Sequence, residues 1–263
     1  MSSENPIGVL DSGLGGLSVL RALVRQLPDE DFLYCSDNGN APWGDKETSF
    51  ILERTRVMIA FLIEHGAKAV VIACNTATAV AADTLRREFT LPIIGIEPAV
   101  KPAAKLSPSG RFGVLGTTRT ITSERYHKLL IRFTQGTHVM SVAAPGLMEC
   151  VERGEFDTPE TKALLEKYLR PMLDAGIDTL VLACTHYPFL ENAIRDIAGR
   201  PLTIIEPSKA VAATLAMRLK EHNLAASKKS AQPVRFWIKD AKRFTPALKI
   251  LWPNASRIEE LTV

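Results

Sequence analysis

The sequence has little of what marks several common protein classes. Its 263 residues include only four cysteines, which lie far apart without a C-x-x-C pair. This pattern fits neither a disulfide framework nor a zinc site, so we expect free thiols and no metal. The net charge is only +3, too small to provide the basic field that nucleic-acid binding needs. Nucleic acid is therefore not expected as a partner.

Long apolar runs and export signals are also missing. The longest apolar stretches are much too short to cross a bilayer. The first residues, MSSENPIGVLDSG, show no cationic run followed by an apolar stretch. With 46% hydrophobic residues, the chain can nevertheless bury a sizeable core. We expect a soluble cytoplasmic protein that does not interact with membranes.

Short apolar runs alternate with segments of helical period along the chain. The first run, Ile7 to Leu10, is followed by a glycine turn and a helical pattern from Leu17 to Leu27. This alternation is typical of an α/β fold with parallel sheets covered on both faces. Further strands are predicted at Phe32 to Cys35, Ala69 to Ala73, Ile93 to Ile96, Phe112 to Leu115, His138 to Val142, Thr179 to Ala183 and Thr203 to Ile205.

Three short segments recur in the same order at nearly the same spacing. IGVLDS (7–12) is echoed by FGVLGT (112–117), VIACNT (71–76) by VLACTH (181–186), and IGIEP (94–98) by TIIEP (203–207). Such a repeat indicates duplicated halves. We therefore predict two pseudo-symmetric α/β domains with mostly parallel sheets and an active site at their interface. The first domain would comprise residues 1–98 plus 208–263, and the second residues 99–207.

The last part of the chain is expected to return to the first domain. The segment AASKKS (225–230) predicts a polar loop. Val234 to Ile238 and Phe244 to Leu251 then predict a last strand and helix.

Polar or reactive residues stand where several predicted strands end. Ligands of open parallel sheets gather beyond the carboxyl ends of the strands, where Asp11, Cys74, Thr117 and Cys184 fall. A single cysteine after an apolar run is usually a small buried hydrophobe. Here both cysteines end the corresponding strand of their half, and each is followed at once by polar residues. If the halves face each other, the two thiols approach one ligand from opposite sides.

Two opposed thiols suit the inversion of a stereocentre. That reaction needs a base on one face of the carbon and an acid on the other. A free cysteine has a pKa of about 8.5, so one thiol must be held as thiolate and the other as thiol by its neighbours. Asp11, in the half of Cys74, and His186, beside Cys184, are candidates for this tuning. Alternatively, Asp11 caps the following helix and His186 is only a polar residue at a strand end.

A dinucleotide site is a second interpretation of the first glycine turn. Gly13 and Gly15 begin a G-x-G-x-x-G pattern, although its third position is Ser18, and Asp37 stands about where a ribose-binding acid is expected. However, Asp11 would repel a pyrophosphate. The amino end of a helix can equally hold a small carboxylate, so an amino-acid substrate fits this turn better.

Four segments resemble the glutamate racemase family, within the wider aspartate/glutamate racemase group, and the resemblance covers nearly the whole chain. They are DSGLGGLSVL (11–20), ACNTAT (73–78), a Pro-x-x-x-x-x-Val-Glu stretch ending at Glu152, and LACTHYP (182–188). The resemblance implies that Cys74 and Cys184 are the catalytic acid/bases, with Asp11 and His186 as auxiliaries. Glu152 would be a supporting carboxylate near His186.

The same resemblance implies a substrate, a partner and a cellular role. It implies an enzyme without pyridoxal phosphate, metal or nucleotide that acts as a homodimer and supplies D-glutamate for peptidoglycan. A loop containing Trp43 and Gly44 would border the substrate. The groups implied to bind the amino and carboxylate groups of glutamate are Ser12, Asn75, Thr76, Thr117 and Thr185.

Departures from the family pattern leave alternatives open. Where the family usually has D-T-A-R-x-P-Y-G, this chain has DNGNAPWG (37–44), so Trp43 replaces tyrosine and Asn40 replaces arginine. Trp43 and Glu152 could instead have packing or surface roles. The function could be that of an aspartate or hydantoin racemase, or of a non-catalytic amino-acid-binding protein. A hydrolase using Cys184 and His186 is less favoured, because it leaves Cys74 unexplained.

Overall fold

The computed structural model describes residues 2–227 and 231–263, and it divides into two compact units. The first unit consists of Met1–Ile96 and Ser208–Val263, and the second of Glu97–Pro207. The last three residues of the predicted polar loop, 228–230, lie outside the described residues. Within the part of the chain that is described, no helix combines the length and hydrophobicity needed to cross a membrane.

Strands and helices alternate along most of the chain. The strands are β1 (Ile7–Asp11), β2 (Phe32–Ser36), β3 (Ala69–Ile72), β4 (Ile93–Gly95), β5 (Arg111–Gly116), β6 (His138–Ala143), β7 (Thr179–Ala183), β8 (Thr203–Ile205), β9 (Arg235–Ile238) and β10 (Arg257–Glu260). The helices are α1 (Leu17–Gln26), α2 (Thr48–Glu64), α3 (Asn75–Glu88), α4 (Val100–Leu106), α5 (Thr118–Ile121), α6 (Glu124–Phe133), α7 (Leu147–Glu152), α8 (Pro159–Asp174), α9 (Glu191–Ala198), α10 (Ser208–Glu221) and α11 (Ala241–Leu251).

The first unit contains a six-stranded parallel sheet in the order β10-β9-β2-β1-β3-β4. Every residue of β1, β2 and β3 is buried. Strands covered on both faces have no solvent side, which is why they appear in the sequence as continuous apolar runs. A hydrophobic core packs side chains of these strands against α2 and α3, including Leu10, Ile72, Met58 and Leu85.

The second unit contains a four-stranded parallel sheet in the order β6-β5-β7-β8. Its core combines Phe112 and Val114 of β5, Val181 of β7, and Val100 and Tyr126 of the flanking helices. Within each sheet the central strands therefore end at one edge. The residues that follow β1 and β3 lie at that edge of the first sheet, and those that follow β5 and β7 lie at that edge of the second.

The predicted α/β fold with parallel sheets is confirmed, and each predicted strand is present with ends that differ by at most one residue. The prediction of a last strand and helix was wrong in one respect, because β10 follows α11. This strand has the sequence RIEE, is mostly exposed, and lies at the edge of the sheet. Charged edge strands carry no apolar run, so the pattern that predicted the central strands could not detect it.

A buried ion pair secures the amino end of β3. Nζ of Lys68 lies 2.5 Å from Oε2 of Glu30, and neither side chain is more than 5% exposed. Lys68 also donates to the carbonyl oxygen of Ser3, and Glu30 accepts from the backbone N–H of Ala226 at 2.8 Å. Since both charges have further hydrogen-bond partners, the pair can be tolerated in the interior.

Replacing one member of this pair is expected to destabilise the first unit. Glu30→Ala leaves the Lys68 ammonium buried without its counter-charge, a situation that costs about 3–5 kcal/mol in other proteins. Urea unfolding followed by circular dichroism measures the effect. Glu124→Ala, which removes an exposed i,i+4 pair with Lys128, is the matched control and should unfold close to wild type. Identical midpoints for the two variants would contradict the stabilising role of Glu30.

Candidate active site

In the first unit, strand pairing brings Asp11, Ser12 and Cys74 together. β1 and β3 are neighbours, with Leu10 opposite Ile72, so the residues that follow these two positions share one edge of the sheet. Oγ of Ser12 lies 3.6 Å from Sγ of Cys74. Asp11 is fully buried, and its Oδ1 accepts from both the backbone N–H (2.7 Å) and the hydroxyl (3.3 Å) of Ser12. A carboxylate, a hydroxyl and a thiol therefore form a connected chain.

Cys74 also occupies the N-cap of α3. Its backbone is extended, with φ −112° and ψ 121°, and its Sγ accepts from the backbone N–H of Ala77 at 3.4 Å. The amino end of a helix carries a partial positive charge, and its first N–H groups lack helical acceptors. This position therefore favours negative charge on the sulfur.

The Asp11 carboxylate lies close to the start of α1. The N-cap of α1 is Gly16, which has no side chain of its own to cap the helix. A Cβ placed on Gly16 would lie 3.1 Å from Oδ2 of Asp11. The capping role of Asp11 therefore stays a prediction, beside its contact with Ser12 next to the thiol.

Asn75 and Thr76 are the first two residues of α3 and are 5% and 3% exposed. Neither Oδ1 nor Nδ2 of Asn75 has a hydrogen-bond partner among the described residues. Buried amides are nearly always hydrogen-bonded, so this side chain offers a donor and an acceptor to a bound molecule. Its place directly after Cys74 puts those groups beside the thiol.

In the second unit, three buried side chains form a linear arrangement of Cys184, His186 and Glu152. Cys184 directly follows β7, and its Sγ lies 3.6 Å from Nδ1 of His186. Nε2 of the same imidazole lies 2.7 Å from Oε1 of Glu152, the last residue of α7. His186 is 2% exposed and Glu152 is 8% exposed. These contacts contradict a role for His186 as a mere polar strand end and a surface role for Glu152.

The surroundings of His186 favour its protonated form. Burial by itself lowers the pKa of His186, but hydrogen bonds to Cys184 and Glu152, together with the negative charge of both, raise it well above its ordinary value. A protonated imidazole donates to Sγ through Nδ1–H and to the carboxylate through Nε2–H. The charged imidazole therefore stabilises a thiolate at Cys184.

Thr117 lies at the same edge of the second sheet as Cys184. Gly116 pairs with Ala183, so Thr117 and Cys184 are the next residues on neighbouring strands. Thr117 is the N-cap of α5, and its Oγ1 also donates to Oγ1 of Thr120 at 3.0 Å. Thr120 is 1% exposed and was missed in the sequence. Its only signal was a T-x-x-T spacing at a helix start. Thr185 is also buried.

A buried ion pair between Asp37 and Arg54 holds the start of the loop from 37 to 44. Both carboxylate oxygens of Asp37 accept from Arg54 at 3.0 and 2.6 Å, and the Asp37 side chain is fully buried. Asn40 donates to the same carboxylate at 3.0 Å. Because Asp37 is occupied in this way, it does not present the acid that a dinucleotide site would need.

Trp43 has a packing role. Its side chain is 1% exposed, belongs to the core of the first unit, and meets Phe50 edge-on with ring centroids 6.5 Å apart. Gly44, the next residue, is half-buried. The indole Nε1 of Trp43 is buried and has no hydrogen-bond partner among the described residues, so this side chain also holds an unused donor.

Known proteins with similar sequences and structures identify the family of this chain. The family described as Asp/Glu/Hydantoin racemase matches residues 7–215, a range that includes both thiols and their partners. The chain belongs to this family. The resemblance to glutamate racemases is thereby confirmed, and so is the expectation of an isomerase.

Individual members of the racemase family match over nearly the full chain. The glutamate racemase of Methylococcus capsulatus is 44% identical over 260 residues, 98% of this chain and 96% of that protein. A solved glutamate racemase isoform of Bacillus anthracis has a TM-score of 0.90 at 33% identity and covers 99% of this chain and 98% of its own. The Escherichia coli glutamate racemase, solved with L-glutamate and the activator UDP-MurNAc-Ala, has a TM-score of 0.87 at 30% identity, with 98% of each chain covered.

The contact between His186 and Glu152 predicts a pH effect in this racemase-family protein. Glu152→Gln removes a negative partner, so the pKa of His186 should fall, as followed by NMR of its ring C–H.

Because the folded pKa of His186 lies above its unfolded value, protonation of His186 favours the folded state. That stability is fully present below about pH 6.5 and is lost as pH rises through the folded pKa. Glu152→Gln should reduce it.

Glu149→Gln is the matched control for this titration. Glu149 lies on the same helix as Glu152, but its carboxylate is not among the groups that raise the pKa of His186. The control should titrate like wild type. An unchanged His186 titration in Glu152→Gln would contradict the electrostatic link.

Proposed function

We propose that this protein interconverts L- and D-glutamate without a cofactor, using Cys74 and Cys184 as opposed acid/base groups. The observation that carries this proposal is the repeated position of the two thiols. Each stands within two residues of the end of the corresponding parallel strand of its unit, is buried, and has its own polar partners. The glutamate racemases that match nearly the whole chain support glutamate as the substrate.

The reaction consists of one proton removal and one proton return. A thiolate takes the α-proton from one face of the substrate and becomes a thiol, leaving the electron pair on the α-carbon. The opposite thiol donates its proton to the other face and becomes a thiolate. The reverse direction exchanges the roles, which requires two groups able to act as both acid and base.

Cys74 is proposed to be supported by the helix end and by Ser12 and Asp11. The N–H of Ala77 and the amino end of α3 stabilise its thiolate. The hydroxyl of Ser12 contacts the sulfur and is itself hydrogen-bonded to the Asp11 carboxylate. Ser12 therefore links the carboxylate to the thiol. Asp11 thus acts as an auxiliary to Cys74.

Cys184 is proposed to be supported by the imidazole of His186. The cation stabilises the thiolate that forms when Cys184 gives up its proton, and Glu152 holds the ring and its charge in place. The pair therefore lowers the cost of charge at one sulfur in a water-poor environment. His186 and Glu152 are accordingly the auxiliary and its support.

The polar residues around each thiol fit an amino acid with one ammonium and two carboxylates. We assign contacts with these groups to Ser12, Asn75, Thr76, Thr117 and Thr185, and we place Trp43 and Gly44 in a loop that borders the substrate. The unsatisfied amide of Asn75 supports this assignment, since a bound carboxylate and ammonium would supply its missing partners. We further propose that the enzyme acts in the cytoplasm as a homodimer and supplies D-glutamate for peptidoglycan.

Cofactor-free racemisation is the direct test of this function. Purified protein in excess chelator should drive the circular dichroism signal of either L- or D-glutamate to zero. Aspartate and other enantiopure amino acids, measured in parallel, separate glutamate from the alternative substrates of the family. Loss of activity after dialysis that metal or pyridoxal phosphate restores would contradict cofactor independence, and faster turnover of aspartate would contradict the substrate.

Replacing either thiol is expected to separate proton removal from proton return. Cys74→Ala and Cys184→Ala should each abolish racemisation, because no acid remains opposite the base. A glutamate analogue with a leaving group on the β-carbon needs only removal of the α-proton, after which the carbanion expels the group. Each variant should therefore eliminate from one enantiomer, and the two should choose opposite ones. From the family resemblance, Cys184→Ala should act on the D-analogue.

Two other buried thiols provide controls for this experiment. Cys35→Ala and Cys150→Ala remove buried thiols from the first and second unit, respectively, and should keep racemisation close to wild type. The opposed-thiol mechanism would be wrong if Cys74→Ala or Cys184→Ala racemised glutamate normally. Elimination from the same enantiomer by both variants would also overturn it.

A further inference from the structure

Thr78, in the first unit, has a buried hydroxyl that the proposed reaction does not use. The residue is 1% exposed and lies one turn after Cys74 on α3. Its Oγ1 donates to the carbonyl oxygen of Ile72 at 3.3 Å and accepts from the backbone N–H of Ile96 at 3.1 Å. The hydroxyl therefore joins the carboxyl ends of β3 and β4 to the helix.

The backbone of Thr78 adds a second contact to the turn between β3 and α3, residues 73–74. Its N–H donates to the carbonyl oxygen of Cys74 at 2.8 Å. Side chain and backbone together thus hold Ile72 and Cys74, the two residues that flank Ala73. Ala73 is itself tied to β1, because its N–H donates to Leu10 at 2.8 Å. The direction of the Cys74 side chain is set by this closed turn.

The methyl group of Thr78 is confined as well. A Cβ placed on Gly95 would lie 2.6 Å from Cγ2 of Thr78, so α3 and β4 can approach this closely only with glycine there. Arg86 makes a second attachment between the same elements, from Nε to the carbonyl oxygen of Ile93 at 3.0 Å. The methyl fills the contact with β4, while the hydroxyl makes the hydrogen bonds.

We propose that Thr78 is a positioning residue for the sulfur of Cys74. The Sγ contacts with Ala77 N–H (3.4 Å) and Ser12 Oγ (3.6 Å) depend on the direction in which Cys74 leaves the turn. Without the hydroxyl, the N–H of Ile96 loses its acceptor and the turn loses one of its two closing contacts. The sulfur then departs from the helix end that stabilises its thiolate.

The second unit has no counterpart to this hydroxyl. By the repeat between VIACNT and VLACTH, the position that corresponds to Thr78 is Pro188, which has neither a hydroxyl nor an N–H. Cys184 contacts His186 instead. The consequence of losing the Thr78 hydroxyl should therefore be confined to Cys74.

Three variants distinguish the effect of the Thr78 hydroxyl from the effect of its methyl group and from a general effect of substitution on α3. Thr78→Val keeps the branched shape without the hydroxyl, and Thr78→Ser keeps the hydroxyl without the methyl. Thr84→Val is the matched control on the same helix, since, among the described residues, the hydrogen-bond partner of the Thr84 hydroxyl is the exposed Arg87. Melting curves of all three show that the comparison is made between folded proteins.

The first readout is elimination from each enantiomer of the β-substituted analogue, and it rests on the proposed function. Thr78→Val should lose about tenfold in kcat for the enantiomer that Cys74 deprotonates, with KM changed less than about twofold, because misplacement of a reacting group chiefly lowers the chemical step. Elimination from the other enantiomer should stay at the wild-type rate. Thr78→Ser should restore the first rate, and Thr84→Val should leave both unchanged.

The second readout does not depend on catalysis. In the Cys184→Ala background, the rate of Cys74 alkylation by iodoacetamide is measured against pH, with the modified peptide identified by mass spectrometry. Cys35 and Cys150 are fully buried and serve as unreactive internal references. Thr78→Val should shift the profile to higher pH, because the thiolate loses its alignment with the helix N–H. Thr78→Ser should return it to the original position.

The outcomes distinguish this inference from the proposed function. Equal loss of elimination from both enantiomers in Thr78→Val, or an alkylation profile identical to that of Thr84→Val, would overturn the positioning role. Racemisation by Cys74→Ala would overturn the proposed function, while the alkylation profile would still decide the inference. Rescue by Thr78→Ser in both readouts supports it.

Discussion

Parallel pairing of the strands is the constraint on which the chemistry of this protein depends. Parallel strands end at the same edge of a sheet, so residues far apart in the chain meet there. In the first unit the register of Leu10 with Ile72 brings Ser12 to Cys74, and in the second the register of Gly116 with Ala183 brings Thr117 beside Cys184. A shift of register by one residue would reverse the faces of the strand and separate these groups.

The same constraint explains how far the sequence alone could lead. Central strands covered on both faces have continuous apolar runs, so β1, β3, β5 and β7 were predicted with ends correct to within one residue. The ends of those strands, together with the repeat, then directed attention to Asp11 and both thiols. The exposed edge strand β10 has no such run and was missed.

Side-chain contacts between distant segments were less accessible from the sequence. The bidentate pair of Arg54 with Asp37 joins residues 17 positions apart and depends on how α2 packs against the loop, which no local periodicity encodes. The contact between His186 and Glu152 spans 34 residues and was expected only from family resemblance. The apolar pattern of a single segment predicts where a strand ends, whereas the partners of the residues at that end depend on tertiary packing.

The two thiols occupy corresponding positions, yet their surroundings differ: Cys74 contacts a helix end and a hydroxyl, whereas Cys184 contacts an imidazole. Under the proposed reaction this difference has a kinetic consequence. Enantiomers have equal free energies in water, so the Haldane relation makes kcat/KM equal for the two directions. The kcat values themselves can differ, provided that the KM values differ in the same ratio. Mutation near one thiol can therefore tune saturation by one enantiomer separately from the other, although it cannot bias the equilibrium mixture.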